Sequence, residues 1–500
     1  MVTIWRTDLP HPNSAAVSEQ VYNGLDSCVT LEVLGELLPQ LNEVTGGIYD
    51  FERALQAPIL EMQCRGVLVD QEKRREVYSL YDAQRVRLEE QFAYILNKGM
   101  GIPTINVGSW QQKQYLLYDV LGLPPVKKRG KITTDRSALE KLRGNFYAEP
   151  ICNHILSLQD VRKKLGFLKT GIDSDGRIRT SYNIGGTDTG RLSSYESCFG
   201  SGTNLQNVTG EMRSIFIADR GKRLAYIDLE QAEARAVGAI IWNLFGDGTY
   251  LDFCESGDLH TKVCQMTWKD LPWVETGDWG LDGSANKAIA KRKFYRDFDY
   301  RDAAKRLGHA SNYLGKPPHI SKEVRIPLPL VTSFQHAYFA AFPGIAKWHQ
   351  ATRERLTSKG YITTFMGRQR YFFGRRYDEE TLRAAIAYEP QSAVADILNE
   401  GLLAVWRSQQ CELLLQVHDA IVIQYDEDKE NEVVPAVQKL LEIEIPLMNG
   451  RTITIPTEAE VGWNWAKQKD KSGKVVNEDG LVPFTGHDTR RRSKKMSLVD

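Results

Sequence analysis

Residues 223–241 read RLAYIDLEQAEARAVGAII, a strand pattern that runs to Asp228 and gives way at once to a helical one. An aspartate at the C-terminal end of a strand projects into the crevice where ligands of a sheet usually sit. A second stretch, LLLQVHDAIVIQY at 413–425, pairs two apolar strand-like runs around His418-Asp419, the tip of a tight hairpin. A carboxylate on such a tip is rigidly placed and open to solvent. Two such aspartates, Asp228 and Asp419, are a donor set for two Mg2+ ions about 3.5–4 Å apart, with Mn2+ as a substitute. Either aspartate alone reads as readily as an ordinary turn or cap residue. A third element is needed to choose.

That element is YRDAAKRLGHASNYLG at 300–315, where Arg301, Lys305, His309 and Tyr313 recur every fourth residue. On a helix each such step overshoots a full turn by about 40°, so the four line one drifting stripe roughly 18 Å long. That length is comparable to an extended nucleoside triphosphate. Two cations at one end suit phosphates, and two rings at the other suit a base and a sugar. A solvated charged face has the same spacing, and periodicity alone does not separate the two.

The bulk numbers set the frame. The chain has 500 residues, 42% hydrophobic and 26% charged, with a formal net charge of zero. That length predicts three or four lobes. Phosphate binding must therefore rest on local clusters of Lys and Arg. Seven cysteines without a C-x-x-C pair argue against a zinc ribbon or a disulfide framework. No eighteen-residue apolar run and no basic-then-apolar leader is visible, so the expected location is the cytoplasm, and no membrane partner is expected.

Along the chain, residues 18–41 read as an amphipathic helix, with Val21, Leu25, Val29, Leu31 and Leu34 at roughly helical spacing. A second helix over 48–65 leads into the strand GVLVD, and long helices follow over 70–98 and 150–170. Loops crowd 99–135. The region 230–270 and 296–358 is mainly helical, interrupted by the irregular tryptophan-rich insert WKDLPWVETGDWGLDGS. From about 468 onward a polar tail is expected to lie outside the fold.

In combination these motifs resemble the polymerase region of family A DNA polymerases, the group of bacterial DNA polymerase I and related phage replicases. TDTGRLSS and NLQNV within 187–208 resemble that family's primer-template grip, DLEQAEAR (228–235) its motif A, the Arg301–Tyr313 run its motif B, and QVHDA its motif C. GDLHT (257–261), AAFPGIAKW (340–348), GYITTFMGRQRY (360–371), RAAIAYEPQSAVADI (383–397) and PTEAEVGWNW (456–465) follow in the family's order. The resemblance covers roughly residues 46–467.

It implies an α+β, right-hand polymerase fold with an antiparallel palm sheet and helical fingers and thumb. The thumb and its connection would occupy 46–175, the palm 176–250 and 385–467, and the fingers 251–384. Asp228 and Asp419 would hold the metals. Arg301, Lys305 and His260 would hold the triphosphate, with Lys305 placed to protonate the leaving pyrophosphate. His309 would line the nucleotide's sugar and base, and Tyr313 would sit at the helix base near the templating position. Glu233 would exclude a 2′-hydroxyl, with Gln231 beside it and Arg235 in support. Arg191, Asn204, Gln206, Gln391 and His418 would contact the primer terminus and minor groove, and Arg383 the template. Lys127, Lys128, Arg129, Lys131, Lys163 and Lys164 would follow duplex phosphates. The implied partners are primer-template DNA and deoxynucleoside triphosphates, with a separate exonuclease polypeptide or a processivity factor as further candidates. The compact length points by analogy to a phage-type replicase, which would place it in a host cytoplasm.

The departures are specific. His309 stands where the family usually has Phe or Tyr, and Ala420 where it has a glutamate. The glycine after the motif B tyrosine is displaced by one, giving Tyr313-Leu314-Gly315. Near the N-terminus, Tyr22 and Asp26 resemble the last Y-x-x-x-D motif of the family's 3′→5′ exonuclease domain, without a preceding D-x-E. Residues 1–45 are thus expected to be a remnant of that domain that does not proofread, and that packs on the thumb or palm or completes a separate exonuclease chain. Two rival functions are a single-subunit RNA polymerase, which Glu233 argues against, and a non-catalytic DNA-binding accessory protein derived from a polymerase.

Overall fold

The computed structural model describes residues 15–128, 130–276, 279–296, 298–375, 377–470, 473–486 and 490. Its centre is a five-stranded sheet in the order Glu412–Val417, Ala420–Asp426, Lys222–Leu229, Thr457–Gly462, Val482–Pro483, with every neighbouring pair antiparallel. Strand Ala420–Asp426 is buried along all but its last residue, because both faces of the sheet are covered. Ile421, Ile423 and Tyr425 pack with Ala225, Ile227 and Leu229 into a core against the helices Glu379–Ser408 and Glu430–Leu441. Val422, Leu224 and Leu415 enter a second core on the opposite face, with Val67, Phe216 and Trp465. Side chains alternate along a strand, so one residue of register decides which core each one enters.

A large helical lobe follows the sheet's first strand. Helices Ala232–Phe245, Leu259–Thr267, Tyr300–Asn312, Leu328–Ala341 and Pro343–Lys359 enclose a core that includes Tyr250, Leu307, Phe334, Tyr338 and Trp348. The Tyr300–Asn312 helix starts where the Asp299 side chain accepts the Asp302 N–H at 2.6 Å, a side-chain N-cap. A smaller lobe of helices Gln71–Tyr94, Arg136–Leu142 and Glu149–Leu168 has its own core of Phe92, Leu116, Leu139 and Ile155.

Three expectations are corrected. The tail does not leave the fold at 468: Val482 pairs with Val461 as the sheet's fifth strand, and Leu481 is buried beside Trp465. Apolar residues in LVPF (481–484) supply the edge that the surrounding polar composition hid. The tryptophan-rich insert is not irregular throughout, since a helix spans Trp279–Ala290 and Asn286 holds Val274 by paired amide bonds of 2.8 Å. The N-terminal helix forms over Ala15–Leu37, but Val21, Leu25, Leu31 and Leu34 of its apolar face are exposed, so among the described residues it packs on neither lobe. Tyr22 and Asp26 are exposed on it.

One buried ion pair joins the sheet to the helix behind it. Arg223 Nη1 lies 2.9 Å from Glu430 Oε2, with side chains 3% and 0% exposed, and the guanidinium stacks 4.2 Å over Trp463. Removing one member of a buried ion pair costs about 3–5 kcal/mol, because the remaining charge loses its counter-ion at that contact. Glu430→Ala is therefore expected to lose about that much in denaturant unfolding, with Arg223→Met/Glu430→Leu recovering most of it. A loss under about 1 kcal/mol in the single variant would show that the pair does not brace the sheet.

Candidate active site

Because Ala225, Ile227 and Leu229 face the long helix, Leu224, Tyr226 and Asp228 face the other way. Past the last apolar layer on that face, Asp228 opens on a cavity of about 590 Å³, lined also by Asp419, Glu233, Lys305, His309 and Tyr313. Asp419 reaches it from the hairpin tip, where Val417 pairs with Ala420 across a two-residue turn. His418 holds φ 56°, left-handed backbone that a non-glycine residue adopts at a cost. Gln416 Nε2 donates to the His418 carbonyl at 2.8 Å, and the Leu229 N–H donates to the Asp419 carbonyl at 3.0 Å. Asp228 is in register with Ala420, so the two carboxylates arise on adjacent strands offset by one residue.

The pair is electrostatically unfavourable. Burial and the Asp419 charge, followed by Glu458 and Glu460, push the Asp228 carboxyl up to about 6, with Lys305 opposing. Burial also raises Asp419, against the pull of Arg191. Glu458 stands opposite Asp228 on the other neighbouring strand, a residue the motif reading passed over, although alternation in PTEAEV puts it on the same face. Among the described residues no cluster of three or more His, Cys, Asp or Glu could hold a metal by itself. The chain offers two hard oxygen donors, which fits Mg2+ or Mn2+ completed by water and substrate phosphates rather than a closed protein cage.

Glu233 ties the site together. Its carboxylate accepts from Arg191 Nη2 at 2.7 Å and from the Tyr313 hydroxyl at 2.7 Å, and His309 Nδ1 lies 3.7 Å away. Arg191 Nη2 is also 3.5 Å from Asp419. The Tyr300–Asn312 helix stops one residue short of the expected stripe, with Tyr313 as its cap. Leu314 then turns at φ 59°, and the Gly315 N–H bonds the Ala310 carbonyl at 2.8 Å. A Cβ on Gly315 would meet that carbonyl oxygen at 2.6 Å, which is the physical reason for the displaced glycine. His309 stays 59% exposed, edge-on to Tyr313 with ring centroids 4.7 Å apart.

At the phosphate end the structure differs from a free cation pair. Arg301 is bound by Asp258 through Nε at 2.7 Å and Nη2 at 3.0 Å. Burial alone would raise the Asp258 carboxyl, but hydrogen bonds from Arg301 and Thr261 outweigh it and hold it at about 2. Asp258 was visible in GDLHT and given no role. Burial, with Arg301 adding, lowers His260 to about 4, so near neutral pH it is an uncharged imidazole. Gln231, left-handed at φ 54°, accepts the Leu259 N–H at 3.3 Å and so fixes the start of the His260 helix. Arg235 is buried and donates to the Glu230 carbonyl at 3.2 Å, a backbone support rather than an ion pair among the described residues.

The expected DNA contacts divide. Asn204 and Gln206 are used inward, on Ser194 and on Gln416, and so brace the 187–208 segment. Lys164 bonds Tyr81 and lies 3.4 Å from Glu211, and Lys128 pairs with Asp135. Lys127, Lys131, Lys163, Arg383 and His418 are exposed, and Gln391 is half-buried. Arg129 lies outside the described residues.

The raised Asp228 carboxyl carries a sign. Its folded pKa of about 6 lies above the ordinary aspartate value, so ionisation opposes folding, and the penalty grows from about pH 4 and is complete above pH 6. In metal-free buffer Asp228→Asn is expected to stabilise the fold at pH 8, on the order of 1–2 kcal/mol after solvent screening. The gain should vanish by about pH 4. A pH-independent difference in thermal unfolding would mean that the two carboxylates do not repel in the folded state.

Comparison with known proteins places this geometry. The DNA polymerase family A model matches residues 73–274 and 284–467, leaving out part of the tryptophan-rich insert. The thermostable DNA polymerase I of Thermus filiformis is 30% identical over 463 residues, 86% of this chain and 50% of that protein. DNA polymerase I of Deinococcus radiodurans is 28% identical over 468 residues, 89% of this chain and 44% of that protein. The chain thus spans about half the length of these relatives. The POL domain of Pol1 from M. smegmatis, in complex with DNA primer-template and dNTP, shares the fold at TM-score 0.65 and 24% identity, over 83% of this chain and 70% of that one. No helix among the described residues is long and apolar enough to cross a membrane. Matched along most of its length and folded as the same right hand of palm, fingers and thumb, this chain belongs to DNA polymerase family A.

Proposed function

We propose that the chain is a template-directed DNA polymerase, extending a primer 3′ end with deoxynucleotides by phosphoryl transfer assisted by two Mg2+ ions. The observation that carries this reading is the convergence of Asp228 and Asp419 on one cavity with Lys305, Glu233 and Tyr313. The metals would neutralise the triphosphate and activate the attacking 3′-oxygen. Asp228 and Asp419 would hold them as hard oxygen donors. Lys305, close enough to Asp228 to lower its pKa, lies beside the phosphates and donates a proton to the departing pyrophosphate. Arg301 exchanges the Asp258 carboxylate for phosphate, which couples nucleotide arrival to movement of its helix against the His260 helix.

Glu233 selects the sugar. Fixed from two sides by Arg191 and Tyr313, it cannot swing away from a 2′-hydroxyl. This favours DNA over RNA synthesis. The relatives named above are bacterial, and they add nothing to a phage-type assignment. DNA replication in the cytoplasm, with primer-template and deoxynucleoside triphosphates as partners, is the setting that follows.

Asp228→Ala and Asp419→Ala are each expected to bind primer-template normally and to extend it at least about a thousandfold more slowly, as loss of a metal ligand costs several kcal/mol of transition-state stabilisation. Extension within tenfold of the parent by either variant refutes the assignment. Glu233→Ala should raise ribonucleotide relative to deoxynucleotide incorporation by tenfold or more, roughly the 1.4 kcal/mol of one lost steric filter. An unchanged ratio in a variant that still extends would place the sugar filter elsewhere.

A further inference from the structure

Strand Glu412–Val417 is an edge of the central sheet, and at Gln416 its outward backbone groups are met by a side chain instead of a strand. The Tyr182 hydroxyl donates to the Gln416 carbonyl at 3.0 Å and accepts the Gln416 N–H at 3.1 Å. Closing the edge needs no more than that. The Gln416 side chain is used differently. It is 3% exposed, and its Nε2 reaches past Val417 to donate to the His418 carbonyl at 2.8 Å. Its Oε1 accepts from Gln206 Nε2 at 2.9 Å. Gln206 Nε2 also donates to the carbonyls of Leu192 at 3.1 Å and Gln416 at 3.3 Å, and Gln206 Oε1 accepts the Ser194 N–H at 3.1 Å.

The two amides form a relay whose polarity is set at both ends. Ser194 offers Gln206 an N–H and His418 offers Gln416 a carbonyl, so neither amide can be reversed without setting like against like. Methionine, of similar length, breaks the relay, and glutamate, nearly isosteric, sets a carboxylate against the His418 carbonyl. What the relay holds is the peptide between His418 and Asp419. It is a planar unit, and in a two-residue turn its rotation changes the turn type while the strands stay paired. His418 is strained at φ 56°, so a bond from outside the turn is what keeps this orientation. Asp419 is then fixed from both sides, by Gln416 through the His418 carbonyl and by the Leu229 N–H through its own. The far end of the relay holds Leu192 and Ser194, next to Arg191, whose Nη2 lies 3.5 Å from Asp419.

We propose that Gln416 is a positioning residue for the metal site. Through Gln206 it locks the His418–Asp419 peptide, and so the direction of the Asp419 carboxylate, to the segment that carries Arg191. The inference rests on the polymerase reading above and assigns a role to two side chains that it leaves unused. Outer partners of this kind orient a metal-binding carboxylate, and losing one costs about 10–100-fold in metal affinity or activity.

The test compares Gln416→Met, Gln416→Glu and Gln206→Met with the parent chain on one primer-template. Each should extend it about 10–100-fold more slowly at saturating nucleotide, with KM for nucleotide within about threefold and half-saturating Mg2+ raised about tenfold. Mg2+ demands near-ideal octahedral geometry, so replacing it with Mn2+ should recover most of the lost rate. Gln416→Met/Gln206→Met should fall within about threefold of the slower single variant, because one relay cannot be broken twice. Mn2+ affinity of the complex with a dideoxy-terminated primer and matching nucleotide, read by electron paramagnetic resonance without turnover, should drop about tenfold. Rates within about threefold of the parent in every variant overturn the proposal. A slow variant with unchanged Mg2+ dependence and unchanged Mn2+ affinity also overturns it, because it assigns the amides to the sheet edge alone. If Gln416→Met does not fold, Gln206→Met carries the same comparison from a half-buried position outside the sheet. A parent that extends no primer, with Mn2+ affinity that still falls in the variants, would refute the polymerase reading and leave the relay standing.

Discussion

Two aspartates that repel each other are held side by side by a sheet that gives neither a way out. Asp228 is fixed by antiparallel pairing on both sides, to Ala420 and to Glu458. Asp419 is fixed by a hairpin whose first turn residue, His418, is itself strained. The cores on the two faces of the sheet set the register, and one slipped residue would exchange Asp228 with Ile227. Stability of the apolar layers is thus what maintains an unfavourable charge pair, which a bound cation would relieve.

Around that pair the structure uses the same few groups more than once. Glu233 anchors Arg191 and Tyr313, so the 187–208 segment, the helix Ala232–Phe245 and the end of the Tyr300–Asn312 helix share one carboxylate. Asp258 does the same at the start of the Tyr300–Asn312 helix, where it holds Arg301 and Thr261. A change at either carboxylate therefore reaches several elements, and single substitutions there are not expected to be additive. Ala420, in the place of the family's usual glutamate, is fully buried, and Glu458 on the opposite neighbour keeps a third acid near Asp228.

Much of this was legible in the sequence because the signals were local. The strand ending at Asp228, the hairpin at His418-Asp419 and the four-residue repeat from Arg301 each sit within a short window, and all three reach the same cavity. Partners separated in sequence were not legible. Arg301 with Asp258 and Arg191 with Glu233 are set by tertiary packing, and spacing carries no trace of them. Asn204 and Gln206 read as DNA ligands, but their amides satisfy Ser194 and Gln416 inside the protein. The last strand was hidden because four apolar residues in a polar stretch carry little periodicity, and the sheet edge they complete lies on Thr457–Gly462. The N-terminal helix was legible as a helix, whereas the exposure of its apolar face was not.

The account's central claim is that Asp228 and Asp419 together form a two-cation site once substrate is bound. Electron paramagnetic resonance titration of Mn2+ into the chain, with a dideoxy-terminated primer-template and the matching nucleotide, counts those ions directly. Two tightly bound ions per complex in the parent, and at most one in Asp419→Asn, is the predicted result. Equal occupancy in parent and variant would contradict it.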